Sequence, residues 1–178
     1  DWNVAQAKKG GFPHYMIKEI FEQPGIVTAI LRERIKDAKI HFDELKISKS
    51  EFKKIKRIVI IACGTAYHAG LVGKYILEEF TKIPVWVDTS SEFRYRDPNV
   101  NKDTLVITIS QSGETADTLA GLREAKVKKA LTLTICNVLG SSLSREAKGV
   151  IYTHAGPEIA VASTKAYTAQ LTILYLLE

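Results

Sequence analysis

The sequence predicts an α/β chain: a three-layer α/β/α sandwich on a five-stranded parallel, flavodoxin-like sheet, preceded by an N-terminal helical pair. Three observations carry this expectation. From Arg57 onward, short apolar runs alternate with stretches of helical spacing. The runs are continuous and rich in β-branched residues, as in strands buried on both faces. Gly64 and Gly113 stand just beyond two of the runs, where a strand would turn into a helix. Alternation of this kind makes right-handed βαβ units and a parallel sheet.

Residues 1–50 lack strand alternation. A helical extension is placed at 1–45 and the sheet domain at 46–178. Pro13 can open a first helix running to Phe21, and Pro24 closes it. Val27, Ile30, Leu31, Ile35 and Ala38 mark a second, amphipathic helix. Lys49 to Arg57, with Lys53, Lys54 and Lys56, is a basic, solvated approach to the sheet. Ile58–Ala62 is the first strand. Tyr67, Leu71, Val72, Tyr75 and Phe80 give the next helix its apolar face. Pro84–Val87 is the second strand and Thr104–Ile109 the third. A helix over Thr115–Lys126 leads to a fourth strand, Ala130–Cys136. Ser142–Ala147 is a short helical turn, Val150–Thr153 the fifth strand, and Ser163–Leu177 a final helix that becomes nearly all apolar from Leu171. That apolar stretch predicts a covered face, at a dimer interface or against a further domain.

Length and composition exclude several classes. At 178 residues with 46% hydrophobic and 25% charged residues, the chain matches ordinary globular usage. No stretch approaches the ~18 uninterrupted apolar residues of a membrane span, and Asp1–Gly10 lacks a signal-peptide apolar core. The chain begins with Asp1 rather than Met, so a piece of a larger protein is expected. The net charge of +5 sits in one third of the chain: residues 1–57 hold 13 basic and 8 acidic groups, whereas 58–178 hold 12 of each. The sheet domain therefore carries no net basic field, and no nucleic-acid partner is expected. Cys63 and Cys136 form no CxxC pair and there is no HExxH, so no metal and no cofactor are expected. Both thiols end apolar runs, which suits a reducing cytoplasm.

In parallel sheets, ligands sit at the carboxyl ends of the strands, near the point where strand order reverses. The loops that matter therefore follow Ala62, Ile109, Cys136 and Thr153. In Ser110-Gln111-Ser112-Gly113-Glu114-Thr115, three hydroxyls and an amide surround a glycine at a helix start. Unpaired N–H groups and the positive end of the helix dipole favour an anion there. Capping of the helix by Ser112 or Thr115 is the plainer alternative. Cys63-Gly64-Thr65-Ala66 and Val161-Ala162-Ser163-Thr164-Lys165 have the same placement, with Ser163 as a natural N-cap. Together the three loops suggest one pocket for a small phosphorylated ligand. There is no GxGxxG after the first strand and no Walker A, which disfavours nucleotides. Of the four histidines, only His154 could line the pocket. Lys165 could reach an anion or face solvent.

These loops and their neighbours resemble the sugar isomerase (SIS) domain family, in particular the first SIS domain of the glucosamine-6-phosphate synthases. The resemblance rests on Lys9-Gly10-Gly11-Phe12-Pro13-His14-Tyr15-Met16 and Lys18-Glu19-Ile20-Phe21-Glu22-Gln23-Pro24. It continues through Ala62-Cys63-Gly64-Thr65, Ser91-Glu92-Phe93-Arg94-Tyr95-Arg96, Ser110 to Thr118 and Val161 to Ala166. It implies that Thr65, Ser110, Gln111, Ser112 and Thr115 hold the phosphate of a hexose 6-phosphate, with Cys63, Gly64, Val161 and Ser163 lining the sugar. The family usually has a serine where Ala66 stands. The resemblance further implies a parent enzyme making glucosamine-6-phosphate and glutamate from fructose-6-phosphate and glutamine, of which this chain is the phosphate-anchoring half. Its glutamate base, ring-opening histidine and Schiff-base lysine belong to a second SIS domain and a C-terminal tail. They are not assigned to Glu158, His154 or Lys165. A glutaminase domain, the second SIS domain and a second copy of the chain are the expected partners, in the cytoplasm. The chain alone is expected to bind the sugar phosphate without full turnover. A standalone sugar-phosphate-sensing SIS module and a single-domain ketose–aldose isomerase remain alternatives.

Overall fold

The structure, a computed structural model, describes residues 8–177; residues 1–7 of the predicted extension and Glu178 lie outside the described residues. The predicted N-terminal helical stretches run together as one helix, α1 (Tyr15–Arg34), with Pro24 inside it. Proline in a helix frees the carbonyl four residues back. Here the Gln23 amide donates to that carbonyl, Ile20 O, at 3.2 Å, so the helix continues. It stops at Arg34, whose guanidinium is buried and forks onto the Glu44 carboxylate with two bonds of 2.6 Å. The same group donates to the Tyr152 carbonyl at 2.9 Å, pinning the end of α1 to the sheet. Ile35 and Ala38, predicted to be helical, instead frame a small hairpin of β1 (Ile35–Lys36) and β2 (Lys39–Ile40). Asp37 and Ala38 take positive φ of 52° and 55° at its turn. The predicted basic approach contains one turn of helix, α2 (Lys49–Phe52). It starts with a capping box in which Ser48 accepts from Glu51 N and Glu51 accepts from Ser48 N.

The sheet follows: β3 (Arg57–Ala62), β4 (Val85–Thr89), β5 (Thr104–Ser110), β6 (Leu131–Cys136) and β7 (Gly149–Tyr152). All pairings are parallel and the order is β4-β3-β5-β6-β7, the doubly wound arrangement expected. The connecting helices are α3 (Gly64–Thr81), α4 (Ser90–Tyr95), α5 (Ala116–Val127), α6 (Ser142–Glu146) and α7 (Lys165–Leu176). Period-two alternation divides each strand between two cores. Ile58, Ile60, Leu105, Ile107, Leu133 and Ile135 pack with Ala69 and Leu77 of α3, Ile173 and Leu174 of α7, and Ile30 of α1. Val59, Ile61 and Val106 face the other way, onto Phe93 of α4 and Ala125 of α5. Helix α4, absent from the sequence expectation, thus fills one face with a fully buried Phe93. The apolar end of α7 is covered from within the chain, with Ile173 and Leu174 fully buried and only Tyr175 of that stretch well exposed.

Candidate functional site

Strand order reverses between β3 and β5, so the loops leaving their carboxyl ends diverge and open a crevice. A cavity of about 200 Å³ lies there. Cys63, Thr65 and Ala66 line it from the β3–α3 loop, Ile109 to Ser112 and Thr115 from β5 and its loop, and Ser163 and Gln170 from the third side. Whole-ligand pockets run to about 300–1,000 Å³. A smaller cavity suits one end of a ligand better than all of it.

The β5–α5 loop is shaped by its own hydroxyls. Ser110 Oγ accepts from Gly113 N at 3.1 Å and lies 3.0 Å from Thr115 Oγ1; Ser112 Oγ accepts from Glu114 N at 3.2 Å. Gly113 has φ +68°, and a Cβ there would fall 2.1 Å from Ser141 Oγ. Only glycine fits both the backbone and the space. Gly64 turns the other loop with φ +56° between Cys63 and Thr65, at the first residue of α3. Among the described residues, no N-cap side chain bonds the start of α3, α5 or α7. Thr115, the N-cap of α5, turns its hydroxyl to Ser110 instead, and Ser163 gives way to Thr164 as N-cap of α7. Capping therefore does not consume these hydroxyls. Among the described residues, no lysine or arginine lines the cavity. Helix N-termini and their N–H groups face it, as suits an anion bound by neutral donors. Ala66 presents a methyl group where the resemblance expects a hydroxyl.

The β7–α7 loop is held both by its own Glu158 and from α1. Glu158 accepts from Thr164 N at 2.9 Å and Ala166 N at 3.1 Å, so it caps α7. Glu19 of α1, a buried carboxylate, accepts from Ile159 N at 2.7 Å and Ala160 N at 3.2 Å. Lys165 faces neither that cavity nor solvent: its ammonium is buried against the Glu22 carboxylate of α1 at 2.6 Å. Burial alone would raise the Glu22 carboxyl, but the bonds and charges of Lys165 and Lys18 outweigh it and hold it below the ordinary carboxylate value. Gln23 accepts from Thr168 of α7. The Lys18–Pro24 segment is thus a clamp on this loop. The clamp brings Ser163 to the cavity but leaves Val161 fully exposed outside it. His154 also lies away from the cavity, with Nδ1 2.9 Å from Glu33.

Three site residues escaped the sequence reading. Asn137, buried at the end of β6, accepts from Ala155 N and Thr153 Oγ1 and donates to Gly156 O, while its own N–H reaches Gln111 O. It ties the loops after β5, β6 and β7 together. Glu19 and Gln170 are the other two, both polar residues buried on their helices. Of the thiols, Cys63 borders the cavity, whereas burial pushes Cys136 up to about 11, far from a thiolate at neutral pH.

A five-stranded doubly wound sheet with a cationless hydroxyl cradle at its switch point defines a class, and the chain belongs to it: the SIS domain family matches residues 51–177. More particularly, the chain is 60% identical over 177 residues to the glutamine–fructose-6-phosphate aminotransferase [isomerizing] of Caldanaerobacter subterraneus, covering 99% of this chain and 29% of that one. It is 59% identical to the same enzyme of Clostridium tetani, with the same coverage. The chain therefore spans 29% of the length of these curated relatives. Among solved structures it matches the C-terminal domain of glucosamine-fructose-6-phosphate aminotransferase from Francisella tularensis with a TM-score of 0.90 at 47% identity, over 96% of this chain and 48% of that one. A glucosamine-6-phosphate deaminase from Thermotoga maritima shares the fold, with a TM-score of 0.74 at 20% identity over 92% of this chain and 47% of that one. Helix α1 lies outside the family match but inside the stretch shared with the aminotransferases.

Proposed function

We propose that this chain is the sugar-phosphate-anchoring half of the isomerase region of a glutamine–fructose-6-phosphate aminotransferase. The phosphate of fructose-6-phosphate or glucosamine-6-phosphate rests among Thr65, Ser110, Gln111, Ser112 and Thr115. Cys63, Gly64 and Ser163 flank the sugar, and Val161 meets it from the open side. The observation that carries this reading is the convergence of Thr65, Ser110, Ser112, Thr115 and Ser163 on one cavity at the sheet's switch point. Residues 1–45 form an extension serving the SIS domain at 46–178. The chemical groups that open the ring and move the proton lie elsewhere in the longer polypeptide, in a second SIS domain and a C-terminal tail, and ammonia comes from a glutaminase domain. The whole protein works as a cytoplasmic homodimer; among the described residues, no helix is long and apolar enough to cross a membrane.

Calorimetric titration of the chain with fructose-6-phosphate tests the reading. A hydrogen bond to a charged group is worth roughly 1.5–3 kcal/mol, so Ser112→Ala weakens binding by about ten-fold or more. Unchanged affinity removes this loop from the site, and no binding by the unaltered chain removes the function.

A further inference from the structure

One atom bordering the cavity would not be satisfied by a phosphate. Gln170 lies on the inner face of α7, only 2% exposed, with Ala166 and Ile173 above and below it on the same face. It lines the cavity beside Ser163 and opposite the β5–α5 loop. Its amide oxygen, Oε1, is buried and finds no hydrogen-bond donor among the described residues. A buried polar atom without a partner is costly, and a methionine or leucine would pack at this position without that cost. An amide oxygen only accepts hydrogen bonds. A phosphate monoester is mostly a dianion at neutral pH, its second pKa lying near ~6, and so offers that oxygen no hydrogen. Its complement on a phosphorylated ligand is therefore a hydroxyl on the carbon chain.

We propose that Gln170 is a specificity residue that accepts a hydrogen bond from a hydroxyl of the bound sugar, so that the cavity distinguishes a sugar phosphate from phosphate alone. The inference rests on the sugar-phosphate reading of the same site. It divides the labour there: the hydroxyls and N–H groups at the starts of α3 and α5 hold the anion, and α7 reads the polyol. The orphaned oxygen is the stability cost of that selectivity, a pattern common where a site is kept for function.

Gln170→Met tests it, because methionine keeps the length and volume of the side chain and removes the acceptor. Fructose-6-phosphate and inorganic phosphate are titrated separately into the unaltered chain and the variant, and thermal melts are taken without ligand. The expected result is about a three- to ten-fold loss of affinity for fructose-6-phosphate, unchanged affinity for inorganic phosphate, and an unliganded melting temperature equal to or above that of the unaltered chain. A readout without substitution accompanies it: the Gln170 side-chain amide resonance of the unaltered chain moves with fructose-6-phosphate and stays in place with inorganic phosphate. An equal loss for both ligands, or an amide that moves with both, makes Gln170 a phosphate contact and overturns the proposal. Unchanged affinity for both ligands, or a lower melting temperature with unchanged affinities, makes its role structural and also overturns it. If the unaltered chain binds neither ligand, the sugar-phosphate reading itself falls. Binding of both that Gln170→Met leaves intact removes this inference alone.

Discussion

The β5–α5 loop and the β7–α7 loop border the same cavity but are built by opposite means. The first organises itself: Ser110, Ser112 and Thr115 satisfy one another and their own backbone, and Gly113 supplies the turn. The second, besides its own Glu158, borrows its shape from α1, through Glu19 on two of its N–H groups and Glu22 on Lys165. The self-built loop lies within the SIS match at 51–177, and α1 lies before it. On the proposed reading, anchoring a phosphate is thus a property of the sheet domain. Placing the loop that carries Val161 and Ser163 depends on the preceding helix. A helix fused ahead of a common scaffold can in this way adjust what surrounds the sugar without disturbing what holds the phosphate.

The sharpest break of this comparison is Gly113→Ala. The substitution forces φ +68° on a residue with a Cβ and drives that Cβ into Ser141. A left-handed non-glycine residue costs about 1–3 kcal/mol and overpacking about as much again. Chemical denaturation should therefore register a loss of about 3 kcal/mol, and titration should show binding of inorganic phosphate and of fructose-6-phosphate falling together. Glu22→Gln strikes the borrowed loop instead. It leaves the Lys165 ammonium buried without its counter-charge. Breaking a fully buried pair costs about 3–5 kcal/mol; Glu22 keeps 31% of its side chain exposed, so about 2 kcal/mol is expected. Fructose-6-phosphate should bind several-fold more weakly, with inorganic phosphate unaffected. If both ligands weaken equally after Glu22→Gln, the two loops are not independent.

The same contrast explains what could be read from the sequence. The strands were legible because burial on both faces demands continuous runs such as Ile58 to Ala62. The cradle was legible because its chemistry is local: strand end, glycine, hydroxyls and helix start fall within six residues, Ser110 to Thr115. The clamp was not legible, because every partner is distant. Glu19 meets Ile159 across 140 residues, and Gln170 faces a cavity whose other walls come from β3 and β5. A glutamine among Ala166, Ala169 and Ile173 at helical spacing is the one local signal that α7 buries a polar group for a reason. Pro24 misled for the opposite cause: the Gln23 side chain repairs the helix that the proline interrupts, and periodicity does not register such a repair. Helix α4 escaped because six residues are too few to display a period.

The smallest expected effect separates the loops by pH. Glu44 is subject to burial, which raises its carboxyl, and to Arg34 and the N–H of Tyr152, which lower it by more; the balance leaves it below its ordinary value of 4.5. Glu22 shifts in the same direction. A carboxyl depressed in the folded state contributes stability above its unfolded value, and that contribution drains as pH falls through the folded one. Stability measured by denaturant titration should therefore be level from neutrality to about pH 5 and decline below about 4.5. Glu44→Gln should lower the plateau and flatten the decline, because the group that binds the extra proton on unfolding is gone. Glu114, bonded through Ser142 and also depressed, shares the acid limb. It is exposed and supports the start of α6, so Glu114→Gln should flatten the curve less than Glu44→Gln does. An equal or larger flattening from Glu114→Gln would place the acid-sensitive contact in the self-built loop and reverse the distinction between the two.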